Sequence, residues 1–332
     1  MSNMPYPRVG IACNIKTDRE TDAQAEFDEP ETVKAISAAL ASGGYEPFVL
    51  EASDGFPRKL ENEKPDIVFN IAECKSGRSR EAQIPAILEY YGVPYTGSDA
   101  AALSVALDKA LTKRIARGLG VETPDFALIE KGETRPPDGL GYPLLVKPNA
   151  EGSSKGIPDA CVAEGPEELS GLIRRASREG ALLAERYIDG REFTVGILGN
   201  GPGARVFEPM EVVFGKQRGN YKVYSYEMKK NFRDYVSYSC PAAIPEAIKT
   251  RMTRDAAAVC GALGCRDMAR VDFRLGRDGK AYFLEINPLP GLAPGYSDFP
   301  MAAGFNGIGY DGLILLILDY ALKRYERSRD RT

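Results

Sequence analysis

The sequence predicts an α/β protein, and two observations carry that reading. Through the first third, short apolar runs alternate with stretches of helical periodicity, the rhythm of a parallel α/β sheet. After Gly190 the chain turns to strand-like runs that end in a hairpin before a closing helix.

Arg8–Cys13 (RVGIAC) reads as a short buried strand. Residues 31–42 (ETVKAISAALAS) read as a helix, because Val33, Ile36 and Leu40 share a face; Pro30 suits the first turn and Gly43-Gly44 the stop. Residues 47–50 and 66–71 (DIVFNI) are further strands, and 80–91 is a helix ended by Gly92. Residues 107–119 (LDKALTKRIARGL) form an amphipathic helix closed by Gly120, and 133–142 a Pro/Gly-rich loop. A strand at 143–146 runs into Lys147-Pro148 and the polar loop 150–156 (AEGSSKG). A helix at 167–178, a strand at 181–187 (ALLAERY) and strands at 192–198, 205–207 and 211–214 follow. Residues 216–238 are aromatic, basic and without periodicity; a loop that long is usually functional or disordered. A helix at 246–263, a hairpin of 269–275 with 281–286, and a helix at 311–325 complete the chain.

Composition narrows the chemistry. With 43 Lys+Arg against 47 Asp+Glu, the net charge of −4 argues against a nucleic-acid partner held by bulk charge. At 332 residues the chain is long enough for two or three domains. The longest apolar run, 313–318, stops at Asp319, far short of the ~20 residues that span a bilayer, so no membrane partner is expected. The N-terminus lacks a charged-then-apolar signal pattern. There is no His, which excludes Ser-His-Asp and Cys-His triads, His bases and His-ligated metals. Six Cys without a C-x-x-C pair read as reduced thiols of a cytoplasmic protein, with Cys13, Cys161 and Cys260 in the core. Chemistry must therefore run on lysine, arginine, carboxylates, amides, hydroxyls or a hard metal.

One constellation fits that restriction. Arg270 and Asp272 are two apart on one hairpin strand, and Glu285 and Asn287 two apart on the other, so each pair shares a face. A turn centred between Arg277 and Asp278 sets Asp272 opposite Phe283 and Arg270 opposite Glu285. Two acids and an amide oxygen are hard ligands suited to Mg²⁺. The same pattern also suits a solvated strand face with ordinary ion pairs. Lys109, Lys147 and Lys229 stand where phosphate contact is plausible, and the Gly/Ser loop after Lys147 can fold its N–H groups over phosphates.

Six segments together resemble the ATP-grasp superfamily, and within it the D-alanine–D-alanine ligases. They are 95–113 (YTGSDAAALSVALDKALTK), 146–157 (VKPNAEGSSKGI), 185–195 (ERYIDGREFTV), 226–229 (YEMK), 270–273 (RVDF) and 285–291 (EINPLPG). The resemblance implies an ATP-grasp fold in three parts: an N-terminal α/β substrate domain (1–105), a central ATP-grasp subdomain (106–190) and a C-terminal subdomain (191–332) carrying the metal and acyl-transfer site. It implies ATP and two Mg²⁺ ions, for which Mn²⁺ can substitute, small amino-acid substrates and a homodimer. Lys109 and Lys147 then hold nucleotide phosphates, with Ser153 and Ser154 in the covering loop. Glu185, Arg186, Tyr187 and Ile188 form the hinge that meets adenine, and Glu192 accepts from the ribose hydroxyls. Lys229 approaches the γ-phosphate from a mobile loop; Asp272, Glu285 and Asn287 are metal ligands; Arg270 and the Gly291 N–H stabilise an oxyanion.

The resemblance weakens at the first-substrate site. The family has a His-Gly and then a Gly-Glu-Asp stretch, where this chain has Glu73-Cys74 and Gly77-Arg78-Ser79-Arg80-Glu81. Glu73 thus falls at the His and Arg78 at the following acid, reversing local charge. The family's acid near the first helix corresponds to Glu26, Asp28 or Glu31. Tyr296 and Ser297 lie in the second-substrate loop, beside an unusual Asp298. The expectation is an ADP-forming carboxylate–amine ligase working through an acylphosphate, with an amino acid other than D-alanine. The alternatives are a ligase that makes D-alanyl-D-alanine, a carboxylate kinase, and a nucleotide-binding protein without turnover.

Overall fold

The computed structural model describes residues 7–18, 24–74, 76–133, 137–151, 161–176, 180–215, 221 and 236–329. Three sheets organise it. The first is parallel, in the order β2 (Glu46–Glu51), β1 (Arg8–Cys13), β3 (Ile67–Asn70). Helix α1 (Pro30–Ser42) packs Val33, Ile36 and Leu40 onto it, the stripe seen in the sequence. Helix α2 (Phe56–Glu63) covers the other face with only Phe56 and Leu60. Helix α3 (Gln83–Tyr91), entered through a 3₁₀ turn at Arg80–Ala82, stops at Gly92, whose φ of +67° favours glycine.

The expected helix at 107–119 is α5 (Lys109–Gly118), and a helix the periodicity did not show, α4 (Ala100–Leu107), precedes it. Asp108 breaks them with extended backbone, and its carboxylate accepts from Leu111 N at 3.0 Å to cap α5. The second sheet is antiparallel, in the order β4 (Phe126–Ile129), β7 (Leu182–Arg186), β5 (Leu144–Pro148), β6 (Val162–Ala163). Helix α6 (Pro166–Ala176) seals one face through Leu169, Leu172 and Ile173.

The third sheet runs β11 (Val236–Ser239), β10 (Met210–Phe214), β8 (Gly190–Leu198), β12 (Met268–Gly276), β13 (Ala281–Asn287), with β9 (Arg205–Val206) against β8. Strand β11 corrects the end of the expected loop at 216–238: Val236–Ser239 pairs with β10, and its four residues show no alternation of burial to stand out; 216–220 and 222–235 lie outside the described residues. Helix α7 (Glu246–Ala262) buries Met252, Ala256 and Val259 on one face of this sheet. Helices α8 (Asp298–Phe305) and α9 (Tyr310–Arg329) share a core with α1 and β1, so the chain's last helix packs on its first. Among the described residues, no single helix is long and apolar enough to cross a membrane.

Candidate active site

The hairpin β12–β13 gathers Arg270, Asp272, Glu285 and Asn287 on one face, but not in the expected register. Asp272 lies opposite Glu285, and Arg270 opposite Asn287. Two features shift the pairing. The turn has three residues, Arg277, Asp278 and Gly279, with Gly276 N donating to Lys280 O at 2.9 Å and Gly279 at φ +77°. Leu284 is an extra residue on β13, a bulge between Asp272 and Phe273. Phe283 at the bulge bonds outside the hairpin: its N–H donates to Glu122 O at 2.8 Å, and its carbonyl accepts from Thr123 Oγ1 at 2.8 Å.

Asp272 is the centre of this face. It accepts from Thr194 Oγ1 at 2.6 Å, from Arg270 Nη2 at 2.8 Å and from Asn287 Nδ2 at 3.3 Å. Burial, with the neighbouring Glu285 charge, raises its pKa against the pull of Arg270. Burial also pushes Glu285 up, but Lys109, at 3.3 Å, together with Lys147 and Arg270, outweighs it and holds Glu285 at about 2. A pair of strand-opposed carboxylates is thus kept in one place by a ring of cations.

The lysines arrive from the second sheet and α5. Asn149, just past β5, accepts from Lys109 N at 3.1 Å and Ala110 N at 2.9 Å, and donates to Asp108 at 2.8 Å. Lys147 on β5 and Lys113 on α5 both reach Glu185, at 2.6 and 2.8 Å. Burial alone would raise Glu185, but the two ammonium groups hold it at about 2. Burial lowers Lys113 to about 8 despite Glu185. The Glu185 side chain is therefore occupied beneath the lysines, while Tyr187–Asp189 link β7 to β8. Arg186 donates to Tyr282 OH at 3.3 Å, and Ile188 is buried. Glu192 pairs with Arg274 at 2.9 Å; burial raises Glu192 to about 7, and Asp272 and Glu285 add to the rise. Ser153, Ser154 and Lys229 lie outside the described residues.

Beside Arg270 and Asn287 opens a cavity of about 660 Å³. Glu26, Asp28 and Glu31 all line it, as do Glu73, Tyr296 and Ser297. Gly291 borders it where a Cβ would sit 2.8 Å from Ser297 Oγ. Arg78 does not reach it: its side chain is 71% exposed and pairs with Asp108 at 2.8 Å. The buried arginine is Arg80, which grips Glu26 with two hydrogen bonds of 2.6 and 3.0 Å.

A family model described as D-ala D-ala ligase C-terminus matches residues 115–319. A D-alanine–D-alanine ligase of Cupriavidus metallidurans is 35% identical over 287 residues, covering 86% of this chain and 82% of the relative. The chain belongs to the D-alanine–D-alanine ligase family. An uncharacterised protein of Sinorhizobium fredii, y4sG, is 35% identical over 301 residues, covering 88% of this chain and 87% of its own. A crystal structure of the Bacillus anthracis D-alanine–D-alanine ligase complexed with ATP superposes with a TM-score of 0.76 at 24% identity, over 97% of this chain and 99% of that one. A second structure of that ligase gives 0.78 at 25% identity, with the same coverage. The ATP-grasp fold expected from the sequence is the fold of these neighbours.

The match to the D-alanine–D-alanine ligase family model takes in Lys147 and the hairpin, while Lys109, Glu26 and Glu73 precede it. Sequence reasoning missed Lys113, Arg80, Thr194, Asn149 and Arg274. Two of these had a signal. Lys113 follows Lys109 by one helical turn, and Arg274 continues the alternation of Arg270 and Asp272. Arg80 had none, because its partner Glu26 is 54 residues away.

Proposed function

We propose that this protein is an ATP-dependent ligase that joins the carboxylate of one amino acid to the amine of another, releasing ADP and phosphate. The observation that carries the reading is one continuous surface. The lysines Lys109 and Lys147, the face Arg270–Asp272–Glu285–Asn287 and the cavity walls meet at Glu285 and Arg270. Lys109, Lys147 and Lys229 would hold and neutralise the triphosphate, with Ser153 and Ser154 closing over it. Tyr187 and Ile188 would meet adenine, and Glu192 the ribose hydroxyls.

The residues present suit a hard metal. Asp272 and Glu285 face each other across the hairpin, with the Asn287 amide beside them. Among the described residues, no three Cys, Asp or Glu group to hold a metal by themselves, so Asn287 and phosphate oxygens complete the set. Bound Mg²⁺ or Mn²⁺ would supply charge neutralisation at the phosphates.

A substrate carboxylate in the cavity attacks the γ-phosphorus and becomes an acylphosphate. The second amino acid's amine then attacks the acyl carbon, and phosphate leaves. Arg270 and the Gly291 N–H are the donors for the oxyanion of that tetrahedral intermediate. No histidine is required, because positioning and charge stabilisation carry the phosphoryl transfer.

The first substrate differs from D-alanine, on the strength of Glu73 in the cavity wall. The plain D-alanine reading is favoured by the names of relatives such as those of Cupriavidus metallidurans and Bordetella petrii, the latter 35% identical over 290 residues. A phosphate-release screen over pairs of D- and L-amino acids, with mass spectrometry of the product, separates the two. If D-alanine with itself gives the highest kcat/KM, the plain reading wins. If no pair releases phosphate, the ligase reading fails.

A further inference from the structure

The cavity beside Arg270 has more negative charge than its own cations answer. Three of its acids are matched: Glu26 by Arg80 at 2.6 Å, Glu29 by Lys16 at 3.8 Å, and Asp298 by Arg270 at 3.4 Å. Asp28, Glu31, Glu73 and Glu81 line the same cavity and make no ion pair among the described residues; Glu31 is exposed to water, the other three are half-buried. Arg80 acts on Glu73 and Glu81 and Lys109 on Glu81, but the Arg80 guanidinium is committed to Glu26 and to Ala150 O at 2.7 Å, and Lys109 to Glu285 at 3.3 Å.

The same cavity carries what a reacting carboxylate needs. Arg270, Asn287 and Gly291 line it from β12, β13 and the loop after β13, and Asp28, Glu73 and Glu81 from the β1–α1 and β3–α3 connections. At about 660 Å³ the cavity lies within the ~300–1,000 Å³ of ordinary small-molecule sites, ample for a side chain longer than a methyl group.

A bound amino acid presents its carboxylate to Arg270 and its α-ammonium to one carboxylate of the acidic wall. The other two acids would be closed off from water without a counter-ion, which is costly. We propose that the first substrate is a diamino acid, its side-chain ammonium held between Glu73 and Glu81 with Asp28 beside them. Burial raises all three carboxyls, Asp28 and Glu81 to about 7; Glu81, Glu26 and Asp28 add to the rise at Glu73, and Glu26 and Glu285 to that at Glu81, against the pull of Arg80. The proposal rests on the ligase reading and adds a substrate class to it.

The test is ATP-dependent phosphate release by the full chain with Mg²⁺. Alanine, leucine, glutamate, 2,3-diaminopropionate, ornithine and lysine are supplied in both enantiomers, each alone and each with alanine. The expected result is a diamino acid with kcat/KM at least tenfold above alanine. Glu73→Gln and Glu81→Gln should each cut that preference at least tenfold, chiefly through KM of the diamino acid. Calorimetry of the same amino acids with a non-hydrolysable ATP analogue should rank them alike. Turnover that is best with a neutral or acidic amino acid overturns the proposal and leaves the ligase reading standing. Absence of phosphate release with every amino acid overturns both.

Discussion

Replacing Glu185 with Gln leaves two buried ammonium groups without the anion between them. Glu185 lies 2.8 Å from Lys113 and 2.6 Å from Lys147, and all three side chains are at least nine-tenths buried. Removing one member of a buried pair typically costs ~3–5 kcal/mol. Lys147 keeps the attraction of Glu285 and Glu192, whereas Lys113 keeps only a lesser one from Glu285, so most of the loss falls on Lys113. Lys113 already titrates at about 8 against a reference of 10.5, and losing Glu185 lowers it further. Its folded pKa lies below its unfolded one, so the unfolded state binds more protons in between and stability rises with pH there. In the variant that rise starts at lower pH than in the parent. The deficit is therefore largest near pH 6 and shrinks towards pH 8, beyond which both proteins gain alike. Urea unfolding of parent and Glu185→Gln at pH 6, 7 and 8 measures it. A loss under about 1 kcal/mol at pH 6, or one that does not change with pH, would refute the assigned charge balance.

Three further outcomes are expected. Asp272→Asn and Glu285→Gln should each lower ATP turnover at saturating Mg²⁺ at least ~100-fold, by phosphate release, in protein that still folds by circular dichroism; near-normal turnover in either variant would remove that residue from the metal set. Gly291→Ala forces a Cβ to 2.8 Å from Ser297 Oγ and should reduce kcat at least ~tenfold with little change in KM for ATP, so an unchanged kcat counts against this backbone donor. Glu192 sits at about 7, and protonation removes its anionic acceptor, so KM for ATP should climb as pH falls from 8 to 6. Arg274→Met removes the cation at 2.9 Å and should move that climb to higher pH; identical profiles for the two proteins would break the link.

Periodicity made most of the frame legible. The alternation in 270–272 and 285–287 shows which four side chains share a face, because that depends only on strand geometry. Their partners were not legible, because the three-residue turn and the bulge at Leu284 depend on contacts with Glu122 and Thr123 far along the chain. Helix α2 holds the core by Phe56 and Leu60 alone, α4 is apolar without a period, and α8 contains Pro300 and Gly304. None of these offers a stripe to read. In the cavity wall, Glu73 is a lining residue, whereas the arginine paired beside it with Glu26 is Arg80 and not Arg78. The two are only two residues apart, and the 3₁₀ turn at Arg80 decides which points inward.

Asn149 has a mechanical consequence. Its backbone carbonyl and its side chain bind the first turn of α5, while its own N–H donates to Ala181 O at 3.0 Å beside β7. Lys109 and Lys147 are therefore bolted to a single stiff bracket, and any widening of the cleft around a nucleotide leaves their spacing intact. The same bracket is tied to the hairpin, where Lys113 Nζ donates to Phe283 O at 3.3 Å and Thr123 Oγ1 to the same carbonyl at 2.8 Å. The two lysines therefore stand as a fixed two-pronged fork that already faces the hairpin carboxylates, Lys109 lying 3.3 Å from Glu285.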